Sequence, residues 1–298
     1  MAGSRHPVRW LVPRLVLALV VGLAIAFVVD VLRTGGPGPW LARHRLPPPY
    51  VAQGTLVDIG GRSLYLDCRG RGTPTVILES GMGDGAGAWS AVQDELAATT
   101  RTCAYDRAGR GSSDPRGTHT LADAATDLRA LLDAAGEAGP FVLVGHSLGG
   151  DHVRVFADRY RDDVVGVVLV DAFDPDLEAT HVHPLLGELR AEYESRLDGL
   201  RALVARVEDL DWIASEAQLR ATSLHGVPVE VLRAPRHESR LDDATNIAIA
   251  DAVQAAYEAI SPGRVRYELA WGAGHIIQVD RPDLVIAAVR RLVDGATP

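Results

Sequence analysis

Residues 141–150 read Phe141-Val142-Leu143-Val144-Gly145-His146-Ser147-Leu148-Gly149-Gly150. A run of apolar, β-favouring residues ends there at a Gly-x-Ser-x-Gly turn, and residues 151–157 continue with a helical pattern. A strand that turns this tightly into a helix leaves Ser147 on a sharp bend, with its hydroxyl above the edge of the sheet. Gly145 and Gly149 are required because side chains there would collide with the neighbouring strand and helix. The stretch predicts a nucleophilic serine, since an accidental Gly-x-Ser-x-Gly would lack the strand-then-helix context.

Length and composition indicate one large globular domain with an appendage. The chain has 298 residues, of which 47% are hydrophobic and 23% are charged, as expected for a protein with a substantial core. Its formal net charge is −9, and the globular part contains no basic cluster. This charge balance argues against nucleic acid as a partner.

The N-terminal residues are predicted to lie outside the globular domain. An unbroken apolar run covers Leu15–Val29, and the composition of residues 34–49 then turns to Gly, Pro and Arg. We interpret 1–33 as a transmembrane anchor, 34–49 as a stiff linker and 50–298 as the globular domain. A secretory signal peptide is the competing interpretation, but its only Ala-x-Ala, Ala24-Ile25-Ala26, lies inside the apolar run. Arginines flank the run on both sides, so they barely determine its orientation.

Two cysteines bear on the compartment. Cys68 ends one strand-like segment and Cys103 opens another. Antiparallel pairing of these strands would permit a disulfide, whereas two buried free thiols are equally compatible with the sequence. A disulfide would favour a domain outside the cytoplasm, with the N-terminus inside.

Strands and helices alternate after residue 75, which predicts a mostly parallel sheet with helices on both faces. The predicted elements include strands at Thr75–Glu79 and Val164–Val170 and helices at about Ala88–Ala98, Leu121–Ala135 and Asp251–Ile260. Ser147, Asp171 and His275 each follow a predicted strand, so all three should lie at the same edge of the sheet. A serine hydroxyl becomes a good nucleophile when a base takes its proton. His275, in a Gly-Ala-Gly-His loop, is the candidate base, and a carboxylate would orient its imidazole.

A glycine-rich loop, Ser80–Gly87, follows the strand at 75–79. Together with Asp106 at a later strand end, it mimics a dinucleotide-binding fingerprint. Extra glycines and Asp84 delay the following helix, and this interpretation leaves the serine turn unexplained. In acyl transfer, the loop would instead direct the Met82 N–H into an oxyanion hole together with the Leu148 N–H. For Asp106, tying down the next loop is favoured over a catalytic role.

Residues 172–226 are predicted to form a helical cap over the site, with helices at Leu185–Leu210 and Trp212–Ser223. His181 and His183 could suggest a metal site, but they lack Cys or carboxylate partners at ligand spacing. We therefore expect them to be surface histidines. The sequence calls for neither a metal nor an organic cofactor.

Three motifs resemble those of the α/β-hydrolase fold superfamily, in its serine hydrolases with a helical cap. They are residues 144–150, the Tyr-Asp-Arg-x-Gly-x-Gly-x-Ser motif at 105–113 and Gly274-His275, and the resemblance covers roughly 50–296. It implies an eight-stranded sheet whose second strand is antiparallel and neighbours the fourth. It further implies Ser147 as nucleophile, His275 as base, Met82 and Leu148 as oxyanion positions, and Cys68 beside Cys103.

The sequence departs from the family pattern at two places. The family often has His-Gly before the oxyanion loop, where this chain has Ser80-Gly81, so the support of that loop must differ. The family's acid commonly follows the seventh strand, but residues 232–235 show no Gly-x-x-Asp. Some members place the acid after the sixth strand, which favours Asp171. The alternative acids are Asp242, Asp243 and Glu238.

These features predict a serine hydrolase of the esterase or lipase kind that cleaves a small-molecule ester through an acyl-Ser147 intermediate. An amide or a thioester is the less favoured substrate, and the apolar residues expected around the site suggest an apolar acyl group. A serine at this position argues against the epoxide-hydrolase and dehalogenase branches, which use Asp. The alternative function is a non-catalytic hydrolase-fold protein that binds or senses a ligand.

Overall fold

The computed structural model of the protein describes residues 50–172, 174, 177–224, 226–235 and 242–296. The predicted anchor and linker lie outside the described residues. Among the helices that the structure does describe, none has the length and apolar character needed to cross a membrane.

Eight strands form one sheet in the order β1-β2-β4-β3-β5-β6-β7-β8. The second strand runs antiparallel to both of its neighbours, and every other neighbouring pair is parallel. This topology confirms the expected eight-stranded sheet and the antiparallel second strand beside the fourth. The strands are β1 Thr55–Asp58, β2 Ser63–Arg69, β3 Thr75–Glu79, β4 Thr102–Tyr105, β5 Phe141–His146, β6 Val164–Val170, β7 Val229–Arg233 and β8 Val265–Leu269.

Helices cover both faces of the sheet. The described helices are α1 Gln93–Ala97, α2 Leu121–Ala135, α3 Leu148–Arg159, α4 Arg190–Glu208, α5 Trp212–Ala221, α6 Asp243–Ile260, α7 Ile277–Asp280 and α8 Pro282–Ala296. Side chains alternate along β5, so that Phe141 and Leu143 pack with α2, α3 and α6, whereas Val142 and Val144 pack with α8.

The segment between β6 and β7 is helical, but its long helix begins later than the sequence suggested. Helix α4 begins at Arg190 rather than at Leu185, and short 3-10 turns occupy His183–Leu185 and Gly187–Leu189. Gly187 adopts a φ of +55° that a regular α-helix does not allow, so the regular helix begins only after this residue.

Two other helices also differ from the prediction. The helix expected at Ala88–Ala98 is a 3-10 turn, Ala86–Trp89, followed by the short α1. Helix α6 begins at Asp243, eight residues before the predicted Asp251, because Asp242 accepts the Thr245 N–H as its N-cap.

The two cysteines form a disulfide. Cys68 on β2 lies directly opposite Cys103 on β4, and their sulfur atoms are bonded. The interpretation as two free thiols is therefore wrong. The pairing follows from the antiparallel contact of β2 with β4, which the sequence alone left open.

Candidate active site

Ser147 sits on the expected turn between β5 and α3. Its backbone has φ 51° and ψ −123°, a region that L-residues rarely occupy, and its N–H donates to the Val170 carbonyl of β6. A Cβ atom at Gly145 would lie 2.4 Å from the Gly149 carbonyl oxygen, and one at Gly149 would lie 2.4 Å from that of Glu79. Only glycine fits either position. The local geometry thus confirms the reason given for the two glycines.

His275 and Asp171 are brought together although 104 residues separate them. The His275 Nδ1–H donates to Asp171 Oδ2 at 2.7 Å. The other carboxylate oxygen of Asp171 accepts the Ala234 N–H at 3.0 Å. Burial raises the pKa of Asp171, but the hydrogen bond from His275 and the charge of Arg233 outweigh it and hold this pKa below its usual value. Asp171 therefore carries a negative charge at neutral pH and can fix the imidazole orientation.

The alternative acids have other positions. Asp242 is exposed and caps α6, while Asp243 is the first residue of that helix. Glu238 lies outside the described residues. Of the acids named from the sequence, Asp171 is the one that forms a hydrogen bond with His275 in the described structure.

Ser147 and His275 line the same cavity. Within the described residues no hydrogen bond joins Ser147 Oγ to the His275 ring, and 56% of the His275 side chain is exposed. Hydrogen bonds between a catalytic serine and histidine often form or shorten only when a substrate is bound.

The cavity has a volume of about 740 Å³ and lies between the strand ends and the cap. Its apolar lining includes Met82, Ala172, Tyr193, Leu197, Leu200, Ala234 and Pro235. Arg196 and Arg233 add positive charge to the wall. A cavity of this size can hold a small organic molecule.

His183 also lines this cavity, which corrects the prediction of a surface residue. His181 is exposed as expected, whereas the side chain of His183 is only 2% exposed. The 3-10 turn that carries His183 packs against α4 and α6, and this packing buries it. Sequence spacing could not reveal these contacts.

The glycine-rich loop lies beside Ser147. Met82 lines the cavity, and Leu148 is the first residue of α3. The described structure offers no acceptor to the backbone N–H of either residue. The loop is supported by Arg107, whose guanidinium donates to the carbonyl oxygens of Ser80 at 2.5 Å and Gly81 at 2.8 Å. Arg107 therefore provides support where the family often has His-Gly, and its partners could not be read from the sequence.

Asp106 is engaged by backbone groups rather than by a ligand. Its carboxylate accepts the N–H of Ala86 at 2.7 Å and that of Ser112 at 2.8 Å. The structural role expected for Asp106 is thus confirmed, and the dinucleotide-binding interpretation is wrong. Asp106 is 6% exposed and holds the glycine-rich loop against the loop after β4, so its carboxylate is engaged within the fold.

His146 supports the His275 loop, a role that the sequence did not predict. Its Nε2–H donates to the His275 carbonyl oxygen at 3.0 Å, and the two rings lie 4.8 Å apart. Burial, and then the adjacent His275, lowers the pKa of His146 to about 4. The ring is therefore neutral at pH 7. Its place immediately before the serine was the only signal in the sequence.

One group of metal-binding residue types lies close together in the described part of the chain, namely Cys68, Cys103 and Glu137. Because the two sulfur atoms are bonded to each other, they offer no thiolate to a metal ion.

Comparison with known proteins places this architecture in a family. The model of the alpha/beta hydrolase fold matches residues 74–254, more than half of the chain. An AB hydrolase superfamily protein of Gibberella zeae is 28% identical over 222 residues, which cover 68% of this chain and 66% of that protein. The chain spans less than two thirds of the length of the first curated relatives that it matches.

Two solved structures share the fold at low sequence identity. A thermophilic esterase from Thermogutta terrifontis is 22% identical with a TM-score of 0.53, covering 82% of this chain and 99% of its own. An enol-lactonase from Burkholderia xenovorans LB400 is also 22% identical with a TM-score of 0.53, covering 80% of this chain and 100% of its own. By its sheet topology and its match to the family model, this chain belongs to the alpha/beta hydrolase fold family.

Proposed function

We propose that the protein is a serine hydrolase that cleaves an ester bond through an acyl-Ser147 intermediate. The observation that carries this proposal is the 2.7 Å hydrogen bond from His275 to Asp171, at the wall of the cavity that Ser147 also lines. Family membership and the geometry of the serine turn support it further.

Each residue has one task in this mechanism. His275 takes the proton of Ser147 as the hydroxyl oxygen attacks the substrate carbonyl carbon, and it returns that proton to the leaving group. Asp171 orients the imidazole and stabilises its cation. The N–H groups of Met82 and Leu148 donate to the oxyanion of the tetrahedral intermediate. Water then attacks the acyl-enzyme with His275 again acting as base, which releases the acid and restores Ser147.

The cavity supports an apolar acyl group as the substrate class. Its wall is mostly apolar, and the cap helix α4 contributes Tyr193, Leu197 and Leu200 from one face. An ester is favoured over an amide or a thioester. A panel of p-nitrophenyl esters from two to twelve carbons tests this class, and a preference for the shortest acid would contradict it.

A fluorophosphonate probe tests the catalytic proposal directly, since it phosphonylates an activated serine. We expect one adduct, on Ser147, that is lost in Ser147→Ala and His275→Ala. A folded protein that hydrolyses no ester and forms no adduct would instead favour the non-catalytic ligand-binding function.

The proposed location is a single-pass membrane anchor at 1–33 with the catalytic domain outside the cytoplasm. The apolar run Leu15–Val29 supports the anchor, and the Cys68–Cys103 disulfide supports an oxidising compartment. Full-length protein that stays in the membrane pellet after a carbonate wash, with its domain open to external protease, is the expected result. A shortened soluble chain would point to secretion after cleavage, and full-length soluble protein in the cytoplasm would contradict both.

A further inference from the structure

Two buried side chains hold the backbone on either side of Met82. The Arg107 guanidinium donates to the Gly81 carbonyl oxygen at 2.8 Å. Glu208, the last residue of cap helix α4, accepts the Gly83 N–H at 2.6 Å. Arg107 and Glu208 also pair with each other at 3.1 Å. One carboxylate from the cap thus contacts both the glycine-rich loop and the arginine that supports it.

Peptide geometry gives these contacts a consequence for the oxyanion hole. The Gly81 carbonyl and the Met82 N–H belong to one planar trans peptide, in which they point in opposite directions. Holding the Gly81 oxygen therefore sets the direction of the Met82 N–H. The next peptide is held in the same way, by the bond from the Gly83 N–H to Glu208. This pair of side chains thus holds both peptide planes flanking Met82, and the Gly81 oxygen also accepts the Asp84 N–H at 3.3 Å within the loop.

The pair is almost fully removed from water. The side chain of Arg107 is 4% exposed and that of Glu208 is 3% exposed. Arg107 has a second buried carboxylate partner, Glu79, at 2.5 Å. Next to this cluster, Arg110 donates to the Val207 carbonyl oxygen at 2.6 Å and secures the end of α4. Loss of one charge from such a cluster is costly, because the remaining groups cannot be solvated in place.

We propose that Glu208 is a positioning residue of the active site, which sets the orientation of the Met82 N–H by holding Arg107 and the Gly83 N–H. The oxyanion hole is then complete only when the end of α4 is docked against the glycine-rich loop. This inference rests on the proposed hydrolase function. Glu208 itself does not touch the substrate.

The test compares an ester with its thionoester in the full-length protein carrying Glu208→Gln. Sulfur is a weak hydrogen-bond acceptor, so a thionoester gains little from an oxyanion hole. We expect kcat for the ester to fall about 10- to 100-fold with KM within twofold. A misdirected N–H should weaken the stabilisation of the oxyanion less than complete removal of that donor would. Turnover of the thionoester should change less than threefold. Hydrogen exchange of a peptide covering residues 80–86 should become faster.

Glu216→Gln is the matched control, since Glu216 pairs with Arg201 at 2.7 Å within the cap and is not bonded to the loop. It should leave both substrates and the exchange of the loop unchanged. Glu208→Asp replaces the Gln variant in this test if the Gln variant does not fold. Asp keeps the negative charge, but its shorter side chain cannot contact the Gly83 N–H as closely. The same ester-selective loss of kcat is expected.

Equal losses for the two substrates, a rise in KM instead of a fall in kcat, or unchanged loop exchange would overturn the role of Glu208. If the unmodified protein cleaves neither substrate, the hydrolase function fails and this catalytic role fails with it. The exchange data then report separately whether Glu208 holds the loop.

Discussion

Asp171 occupies a backbone conformation that an L-residue adopts at a cost of about 1–2 kcal/mol. Its φ is +41°, and its N–H is held by the Leu232 carbonyl oxygen at 2.7 Å. The carboxylate is thereby aimed at His275. We predict that Asp171→Asn lowers kcat by about three to four orders of magnitude, because an amide can stabilise the wrong imidazole tautomer and cannot balance its charge. Steady-state ester hydrolysis by the folded variant measures this effect.

Asp242→Asn is the matched control for this prediction. Asp242 caps α6, and Asn is an equally good N-cap, so stability and turnover should both stay close to those of the unmodified protein. A large loss of activity in Asp242→Asn, with little change in Asp171→Asn, would overturn the assignment of Asp171 as the acid.

His146 gives the protein a pH-dependent stability. Its pKa is about 4 in the folded chain and about 6.5 when unfolded, so the unfolded chain binds the extra proton between these values. The free energy of unfolding should therefore decrease as the pH falls from about 6.5 to 4, by about 3 kcal/mol from this residue. Below pH 4 His146 is protonated in both the folded and the unfolded chain, so its contribution to the free energy of unfolding no longer changes with pH.

Urea denaturation at several pH values tests this linkage in His146→Gln, whose amide can still donate to the His275 carbonyl but does not titrate. His152 is also buried with a lowered pKa and adds its own pH dependence to both proteins. The contribution of His146 is therefore read from the difference in pH dependence of the unfolding free energy between the unmodified protein and His146→Gln. The slope of unfolding free energy against pH should be smaller in the variant between pH 6.5 and 4. Identical slopes would contradict the buried neutral state of His146.

The residues that could be predicted from the sequence are those with local signals. Ser147 lies in a motif, His275 in a glycine-rich loop and Asp171 at a strand end. The sequence pattern around each residue is therefore enough to predict it as a candidate site residue. Glu208 had no such signal, because its partner Arg107 is 101 residues away and the two meet only after the cap folds. The burial of His183 likewise depends on packing between separate elements.

Cap helix α4 presents an apolar face to the cavity, and this face should set the length of acyl group that fits. Leu197 is 7% exposed and lines the cavity beside Tyr193 and Leu200. Leu197→Ala removes three carbon atoms from the wall. We predict a shift of the preferred p-nitrophenyl ester by about two to three carbons toward longer chains, because buried apolar volume becomes available to the substrate.

Ser195→Ala is the control for this shift, because Ser195 is exposed on the same helix. Its chain-length profile should match that of the unmodified protein. If Leu197→Ala also leaves the profile unchanged, the acyl group does not lie along α4, and the proposed location of the substrate is wrong.

Elements with strong periodicity were predicted with exact bounds, whereas those that depend on caps or turns were not. Helix α2 spans Leu121–Ala135 as expected, with a capping box at Thr120 and Gly136 at its end. Strands β3 and β6 also match; β3 is buried throughout, and β6 is buried at every residue except the partly exposed Val165. The first eight residues of helix α6 were not predicted, because the N-cap bond from the Thr245 N–H to Asp242 is visible only in the structure.

The sheet order joins parts of the chain that no local pattern connects. The alternation of strands and helices predicted a parallel sheet, but the placement of β2 between β1 and β4 came only from the family resemblance. This placement sets Cys68 opposite Cys103 and ties the β1–β2 edge to the parallel strands. The disulfide closes a loop with a sequence separation of 35 residues.

Closing a loop of this length should stabilise the fold by up to about 4 kcal/mol, mainly by restricting the unfolded chain. We predict that Cys68→Ala/Cys103→Ala lowers the free energy of unfolding in urea by up to this amount, and that dithiothreitol does the same to the unmodified protein once thiol counting shows two free cysteines. Dithiothreitol should have no effect on the double variant, because that variant has no bond to reduce. If oxidised and fully reduced protein unfold at the same urea concentration, the disulfide does not stabilise this edge. The sheet would then hold β2 on β4 through strand pairing and the packing of Leu64 and Leu66 alone.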